Sequence, residues 1–384
     1  PRDGAITCTL VACYPPSTQV PLHGRRVLNM RFVSSALGTA LLLPLVTHRT
    51  PTTMLSGYPE FDYENVGNIK KPVQITAPPP PPPPPPYRSP TSLVPPSLES
   101  ALRGFDFASS SDDEVAAIAA RLMEQLKREA APLSESPLTA ALADRILLHD
   151  GLPGALANVL ASKMVRKDHT SKGTEVSRAE AVALCETMKN TYASPPVLRA
   201  VVADLIKCFL VDPAADGLLQ PLLFFKGFHA LQVYRVAHML WGRGGAADQA
   251  AALLLQSRVS EAFSIDIHPA ATIGNGVMLD HGTGVVIGST AILGDDIYML
   301  HQVTLGATGK PTFGAKRHPT VGSGCVLGAS STVLGDVTVG DGCTVGASAI
   351  VTRDVPDDTT VVGVNKLVQK KEGETDEYTW YYDI

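Results

Sequence analysis

The chain has 384 residues, a formal charge of −5 at pH 7, 45% hydrophobic residues and 18% charged ones. That composition suits a buried core and more than one domain. The acidic balance excludes a general nucleic-acid binder, which needs a basic face. Cys8, Cys13, Cys185, Cys208, Cys325 and Cys343 form no C-x-x-C pair, so no zinc ribbon or dithiol centre is predicted, and they read as reduced thiols.

Residues 1–59 hold Arg2, Arg25, Arg26, Arg31 and Arg49 against a single acid, Asp3, with frequent Ser and Thr. This is the composition of an organelle transit peptide, for a chloroplast or a mitochondrion; without that address the expected place is the cytosol. The opening on Pro1 reads as a start lying upstream. The apolar run Ala36 to Val46 is too short to span a bilayer and contains Pro44, so no membrane partner is expected. Pro78 to Pro86 is an unbroken proline run, predicted to form a stiff polyproline II spacer. Residues 1–110 are therefore expected to be transit peptide and disordered linker.

Order is expected from Ser111. Ser111-Asp112-Asp113-Glu114 is a helix start, followed by Val115, Ile118, Leu122 and Leu126 at helical spacing. Further helical patterns run from Leu138 to His149, Leu152 to Lys167, Arg178 to Asn190, Val197 to Phe209 and Phe225 to Trp241. Residues 111–262 read as an all-helical domain.

A different period then takes over. Apolar residues recur every sixth position at Ile267, Ile273, Leu279, Val285, Ala291, Ile297 and Val303, and again at Val321, Leu327, Val333, Val339, Val345 and Val351. Neither a helix nor an ordinary strand sustains a period of six; a hexapeptide repeat does, and it folds as a parallel β-helix. The eighteen residues from Val303 to Val321 suggest that the phase survives the interruption at 304–320. That interruption is rich in Gly, Pro and basic residues and should leave the coil as a loop. The fold class is thus α+β in separate domains: helices, then a β-helix over 263–362, then a flexible tail, 363–384. Cys325 and Cys343 should stack one coil apart without bonding.

Four polar clusters stand out: Asp212-Pro213, Asp266-Ile-His268-Pro269, Asp280-His281-Gly282 and Arg317-His318-Pro319. An Asp–His pair makes a general base, which a hydroxyl needs to attack a thioester. Together with Lys226-Gly-Phe-His-Ala-Leu-Gln232, Leu279-Asp-His281 and Val303-Thr-Leu-Gly306, these clusters resemble the serine acetyltransferase family over residues 112–362. The resemblance implies a left-handed β-helix and assembly as a trimer or dimer of trimers, with active sites between neighbouring β-helices. It implies transfer of acetyl from acetyl-CoA, as co-substrate, to L-serine, with no permanently bound cofactor and no metal. In it His281 resembles the general base, Asp266 its orienting partner and His318 a second active-site histidine. Asp212 and Asp280 match acids that hold serine, and Arg317 matches the partner of the serine carboxylate. Acetyl-CoA is expected near Gly306, Thr308, Ala329 and Ala347, and His268 is expected to be structural. Lys316 stands where the family commonly has an acid, and Gly363-Val-Asn-Lys366 lacks the family's closing Gly-x-Pro-Ala turn. The resemblance further implies that the tail, ending in Trp380-Tyr381-Tyr382-Asp383-Ile384, docks on O-acetylserine sulfhydrylase through Ile384.

Three other readings share these residues. One is a hexapeptide acetyltransferase for a sugar or amine. Another is a zinc hydratase on the same coil using His268, His281, His301 or His318. The last is a non-catalytic scaffold subunit.

Overall fold

The computed structural model describes residues 92–165, 173–309, 314–364 and 366–369. The segments expected to be transit peptide and proline spacer, and the last residues of the tail with Ile384, lie outside them. Order begins earlier than the expected Ser111. A first helix, α1 (Pro96–Arg103), buries Leu98 and Leu102 inside the segment expected to be linker. The apolar i, i+4 pair at these two positions is what removes α1 from the linker.

The remaining helices are α2 (Asp112–Ala130), α3 (Ala140–Leu147), α4 (Leu152–Met164), α5 (Gly173–Tyr192), α6 (Pro195–Val211), α7 (Leu219–Phe224), α8 (Lys226–Gly242) and α9 (Ala246–Phe263). The helix start at Ser111 is a complete capping box: Ser111 Oγ accepts from the Glu114 N–H, and Glu114 accepts from the Ser111 N–H. α6 and α8 are buried along most of their length, as central helices must be.

Fifteen short strands follow among the described residues. Sheet A stacks β1 (Asp266–Ile267), β4 (Val286–Ile287), β7 (Thr304–Gly306), β10 (Thr332–Leu334) and β13 (Ile350–Val351). Sheet B stacks β2 (Thr272–Ile273), β5 (Ile292–Leu293), β8 (Thr320–Val321) and β11 (Thr338–Val339). Sheet C stacks β3 (Met278–Leu279), β6 (Tyr298–Met299), β9 (Val326–Leu327), β12 (Thr344–Val345), β14 (Thr359–Val362) and β15 (Lys366–Gln369). All neighbours are parallel except the last pair, β14 and β15. The result is the triangular β-helix that the six-residue period predicts.

The phase is not continuous, which corrects four of the thirteen expected inward positions. Asp266 pairs with Val286, an advance of twenty residues where a regular coil needs eighteen. The inward strand residues of the second coil are therefore Ile287, Leu293 and Met299, followed by Leu305 in the third. Val285, Ala291, Ile297 and Val303 fall two positions earlier, at the corners, where they are also buried. Two extra residues enter at the Asp280–Gly284 corner, and ten more at the loop, where Thr304 pairs with Thr332 twenty-eight residues on. The two insertions amount to two whole hexapeptides, so the period reappears in phase and hides both.

The helices and coils share one hydrophobic core. Their junction is built on a buried charge pair. Asp204, fully buried on α6, accepts from Arg235 Nε at 2.7 Å and Nη2 at 2.9 Å, from Gln232 Nε2 at 2.8 Å and from the Val277 N–H at 2.9 Å. Arg235 also donates to Gly274 O at 2.8 Å, so α6, α8 and the first coil meet in one network. α8 lies so close to the coil that a Cβ on Gly227 would come 1.9 Å from Leu279 O. The end of the coil also differs from expectation. The chain reverses at Gly363 (φ 61°) and β15 returns antiparallel to β14, so residues 366–369 of the expected flexible tail form a strand. A glycine in the left-handed region makes the reversal without proline.

Replacing Asp204 with alanine strands the Arg235 guanidinium in the core, at a cost of about 3–5 kcal/mol, the range for breaking one side of a buried ion pair. The urea unfolding midpoint of Asp204→Ala is expected to fall accordingly; an unchanged midpoint would show that the network carries no stability.

Candidate functional site

Three of the expected residues meet where α6 ends against the first coil. Asp212 is the C-cap of α6, and its Oδ1 accepts from the Ala214 N–H at 2.8 Å. The segment after it is held by Glu129 of α2, whose carboxylate accepts from the N–H groups of Leu218 at 3.2 Å and Leu219 at 2.7 Å. Asp280 follows β3 directly, and His281 stands in the left-handed region at φ 55°. The extra residues of this corner, with Gly282 and Gly284 also at positive φ, turn the imidazole outward. The His281 side chain is 75% exposed, and its Nε2 lies 3.8 Å from Asp280 Oδ1. That is an ion-pair distance and not a hydrogen bond.

Burial, and then the negative charge of Asp280, push the Asp212 carboxyl above the usual carboxylate range, partly offset by the Ala214 N–H and by His281. Two carboxylates held near each other repel until a cation arrives, so the corner is suited to a substrate ammonium next to an exposed imidazole. His301 packs edge to face on His281 with ring centroids 6.0 Å apart, and His301, Thr283 and Gln302 complete an open cleft of about 500 Å³ around His281.

Asp266 is not placed against His281. Its Oδ1 accepts from Gln256 Nε2 of α9 at 2.6 Å, and among the described residues the carboxylate paired with His281 is that of Asp280. Asp266 lies on the outer face of sheet A at the start of β1, two residues after Ser264, whose carbonyl accepts from the Gly284 N–H of the His281 corner at 2.6 Å.

Arg317 and His318 sit at a different corner, between sheets A and B, where the loop returns to the coil. Thr290 holds both residues. Its Oγ1 accepts from the Arg317 N–H at 3.0 Å and the His318 N–H at 3.1 Å, and the Thr290 N–H donates to His318 Nδ1 at 3.1 Å. That nitrogen is thus an acceptor, and the ring proton of neutral His318 is on Nε2. Burial, then the charges of Arg317, His268 and Lys316, push the His318 imidazole below its ordinary value, so it is neutral at pH 7. Gly288 makes room for it: a Cβ there would lie 2.0 Å from His318 Nε2. Lys316 fastens the returning loop by donating to Asp336 Oδ1 at 2.8 Å and His318 O at 2.6 Å. The exposed Arg317 borders an open cavity of about 630 Å³ with Thr290, Ile292 and Gly314.

The four positions expected near acetyl-CoA divide the same way. Gly306 and Thr308 lie where the loop leaves, with Gly306 O accepting from the Gly335 N–H at 2.9 Å. Ala329 and Ala347 stack above the His281 corner, Ala329 O accepting from the Ser348 N–H at 2.8 Å. His268 packs edge to face on Trp241 at 5.2 Å, a structural placement. Among the described residues no three His, Cys, Asp or Glu side chains converge as a metal site would need. Thr290, Gln256 and Tyr298, whose hydroxyl touches Asp280, are absent from the sequence-derived set; each acts across coils or domains, and no motif marks it.

Comparison with known proteins bears on these positions. Residues 120–233 match the family model described as the N-terminal region of serine acetyltransferase, and residues 318–353 match the bacterial transferase hexapeptide model of six repeats. A probable serine acetyltransferase 5 of Oryza sativa subsp. japonica is 41% identical over 292 residues, covering 76% of this chain and 80% of the rice protein. The serine acetyltransferase of Salmonella typhimurium is 40% identical over 253 residues, 65% of this chain and 87% of its own length. The crystal structure of soybean serine acetyltransferase complexed with serine is 39% identical, with a TM-score of 0.59 over 65% of this chain and 98% of the soybean chain.

Thr290→Val keeps the shape of the corner and removes the hydroxyl that holds Arg317 and His318. Catalytic efficiency is expected to drop about ten- to a hundredfold, the usual result of misplacing reactive groups by an ångström. The far-UV circular dichroism should be unchanged; full activity would mean that Thr290 does not place the pair.

Proposed function

The chain belongs to the serine acetyltransferase family, and from that premise we infer that the Asp212–Asp280–His281 corner moves an acetyl group from acetyl-CoA to the hydroxyl of L-serine. The observation that carries this reading is the pair of mutually repelling carboxylates within reach of an exposed imidazole. The serine ammonium neutralises Asp212 and Asp280. That places its hydroxyl towards His281 Nε2, on the Asp280 side of the ring. His281 takes the hydroxyl proton as the oxygen attacks the thioester carbonyl. The tetrahedral intermediate collapses with cleavage of the C–S bond, and the imidazolium returns its proton to the leaving thiolate. The products are O-acetylserine, a precursor for cysteine, and CoA.

The serine carboxylate needs a cation, and Arg317 suits it. Arg317 and His318 occupy another corner of the same triangle, so one chain does not close the site alone. This supports a trimer, or a dimer of trimers, in which Arg317 and His318 of one β-helix face His281 of the next. Gly306 and Thr308 then meet Ala329 and Ala347 across the same junction, forming a path for acetyl-CoA. His318, neutral with its proton on Nε2, is a donor for the developing oxyanion.

Two further readings rest on sequence. The arginine-rich, acid-poor residues 1–59 act as an address for a chloroplast or mitochondrion. The terminal Ile384 anchors O-acetylserine sulfhydrylase, its carboxylate imitating that of O-acetylserine.

Release of CoA with L-serine, set against a panel of sugars and amines, tests the assignment; turnover of a sugar in preference to serine would sink it. His281→Ala is expected to lower kcat roughly 10²–10⁴-fold, the contribution of a general base, and activity within about threefold of wild type would remove His281 from that role. Deleting Ile384 should abolish capture of the sulfhydrylase in a pull-down while acetyl transfer continues; undiminished capture would move the anchor elsewhere.

A further inference from the structure

Tyr298 is the aromatic side chain in the outward row of sheet C, whose other described members are Met278, Val326, Thr344 and Thr360. It stands one coil above Met278, paired with it in parallel register, and is 9% exposed. Its phenolic O–H donates to Asp280 Oδ2 at 2.6 Å. That is the length of a charge-assisted bond to a carboxylate. The other oxygen of the same carboxylate, Oδ1, is the one 3.8 Å from His281 Nε2.

We propose that Tyr298 is a positioning residue for serine: by holding Asp280 Oδ2 it aims Oδ1 at the space before His281, where the substrate ammonium and hydroxyl are received. An aspartate carboxylate turns easily about its last torsion. The charge of Asp212 would favour turning Asp280 away in the empty site. The Asp280 side chain is only 17% exposed, so water is a poor substitute for the phenol. The bond crosses from one coil to the next, tying the aim of Asp280 to the stacking of the β-helix and not only to the inserted corner that carries His281. The inference rests on the reading of Asp280 as a serine-holding acid.

The test uses the full chain and three variants: Tyr298→Phe, Asp280→Asn and the two combined. Phenylalanine keeps the ring and its packing and removes only the hydroxyl. For Tyr298→Phe, kcat/KM for serine is expected to fall about tenfold, the effect of losing one hydrogen bond to a charged group, while KM for acetyl-CoA stays within about twofold. Calorimetric titration with serine alone should show the same loss. In the double variant the Phe substitution should add nothing to Asp280→Asn. A serine KM raised by Asp280→Asn but unmoved by Tyr298→Phe overturns the inference and leaves the reading of Asp280 standing. A full tenfold loss persisting on the Asp280→Asn background also overturns it, because Tyr298 would then act by another route. Asp280→Asn with unaltered serine KM removes the underlying reading itself. A lowered thermal midpoint of Tyr298→Phe with unchanged serine affinity assigns the hydroxyl to stability alone and again overturns the proposal.

Discussion

The β-helix stands only if each strand sets its inward apolar side chain directly on the one a coil below. Every backbone hydrogen bond of the stack depends on that register, and any extra residue must be pushed outward at a corner. The chain departs from the eighteen-residue coil at the Asp280–Gly284 corner, at the loop and at the final coil, where Thr344 pairs with Thr360 sixteen residues on. The first two departures carry the reactive groups. The two-residue insertion presents His281, and the ten-residue insertion presents Arg317 and His318. Chemistry collects where the chain escapes the stack, on a scaffold too rigid to let the neighbouring strands follow.

Electrostatics then distinguishes the two corners. Asp212 and Asp280 burden one corner with negative charge that burial makes worse. The other is cationic, with Arg317 and Lys316 around a neutral His318. A zwitterion such as serine has an end for each, so the corners are complementary to one substrate although a single chain separates them. The separation follows from the topology: the corners flank opposite ends of the strands of sheet A.

The helices contribute more than a solubilising cap. Asp212 belongs to α6, and its position relative to His281 depends on how α6 and α8 dock on the first coil. The Asp204–Arg235 network performs that docking with buried, fully directed bonds, and Glu129 fixes the segment after Asp212 from the other side. Lys226, at the start of α8, reaches Thr283 beside His281, so even the inserted corner is tethered to the helices. The motif Lys226 to Gln232 is therefore a joint: Gly227 permits the close approach, and Gln232 helps hold Asp204.

Local chemistry wrote much of this into the sequence. The six-residue period fixes a triangular coil because only one side chain per face can point inward, and the capping box at Ser111 and the apolar spacing of the helices need no distant partner. The Asp–His dipeptide and the Arg–His pair are legible because their chemistry is in the residues themselves. The sequence misled where two errors cancelled: insertions that together equal two hexapeptides restore the period, so periodicity alone cannot reveal them. It was silent on Thr290, Tyr298 and Gln256, ordinary residues whose importance comes from what lies across a coil or a domain boundary. It suggested an Asp266–His281 pair where the folded chain pairs His281 with Asp280. Period and composition are properties of neighbours in sequence, and a sequence carries them openly. Which oxygen faces which nitrogen depends on the stacking of coils and the docking of helices, and those are decided by packing between segments that only the tertiary structure brings together.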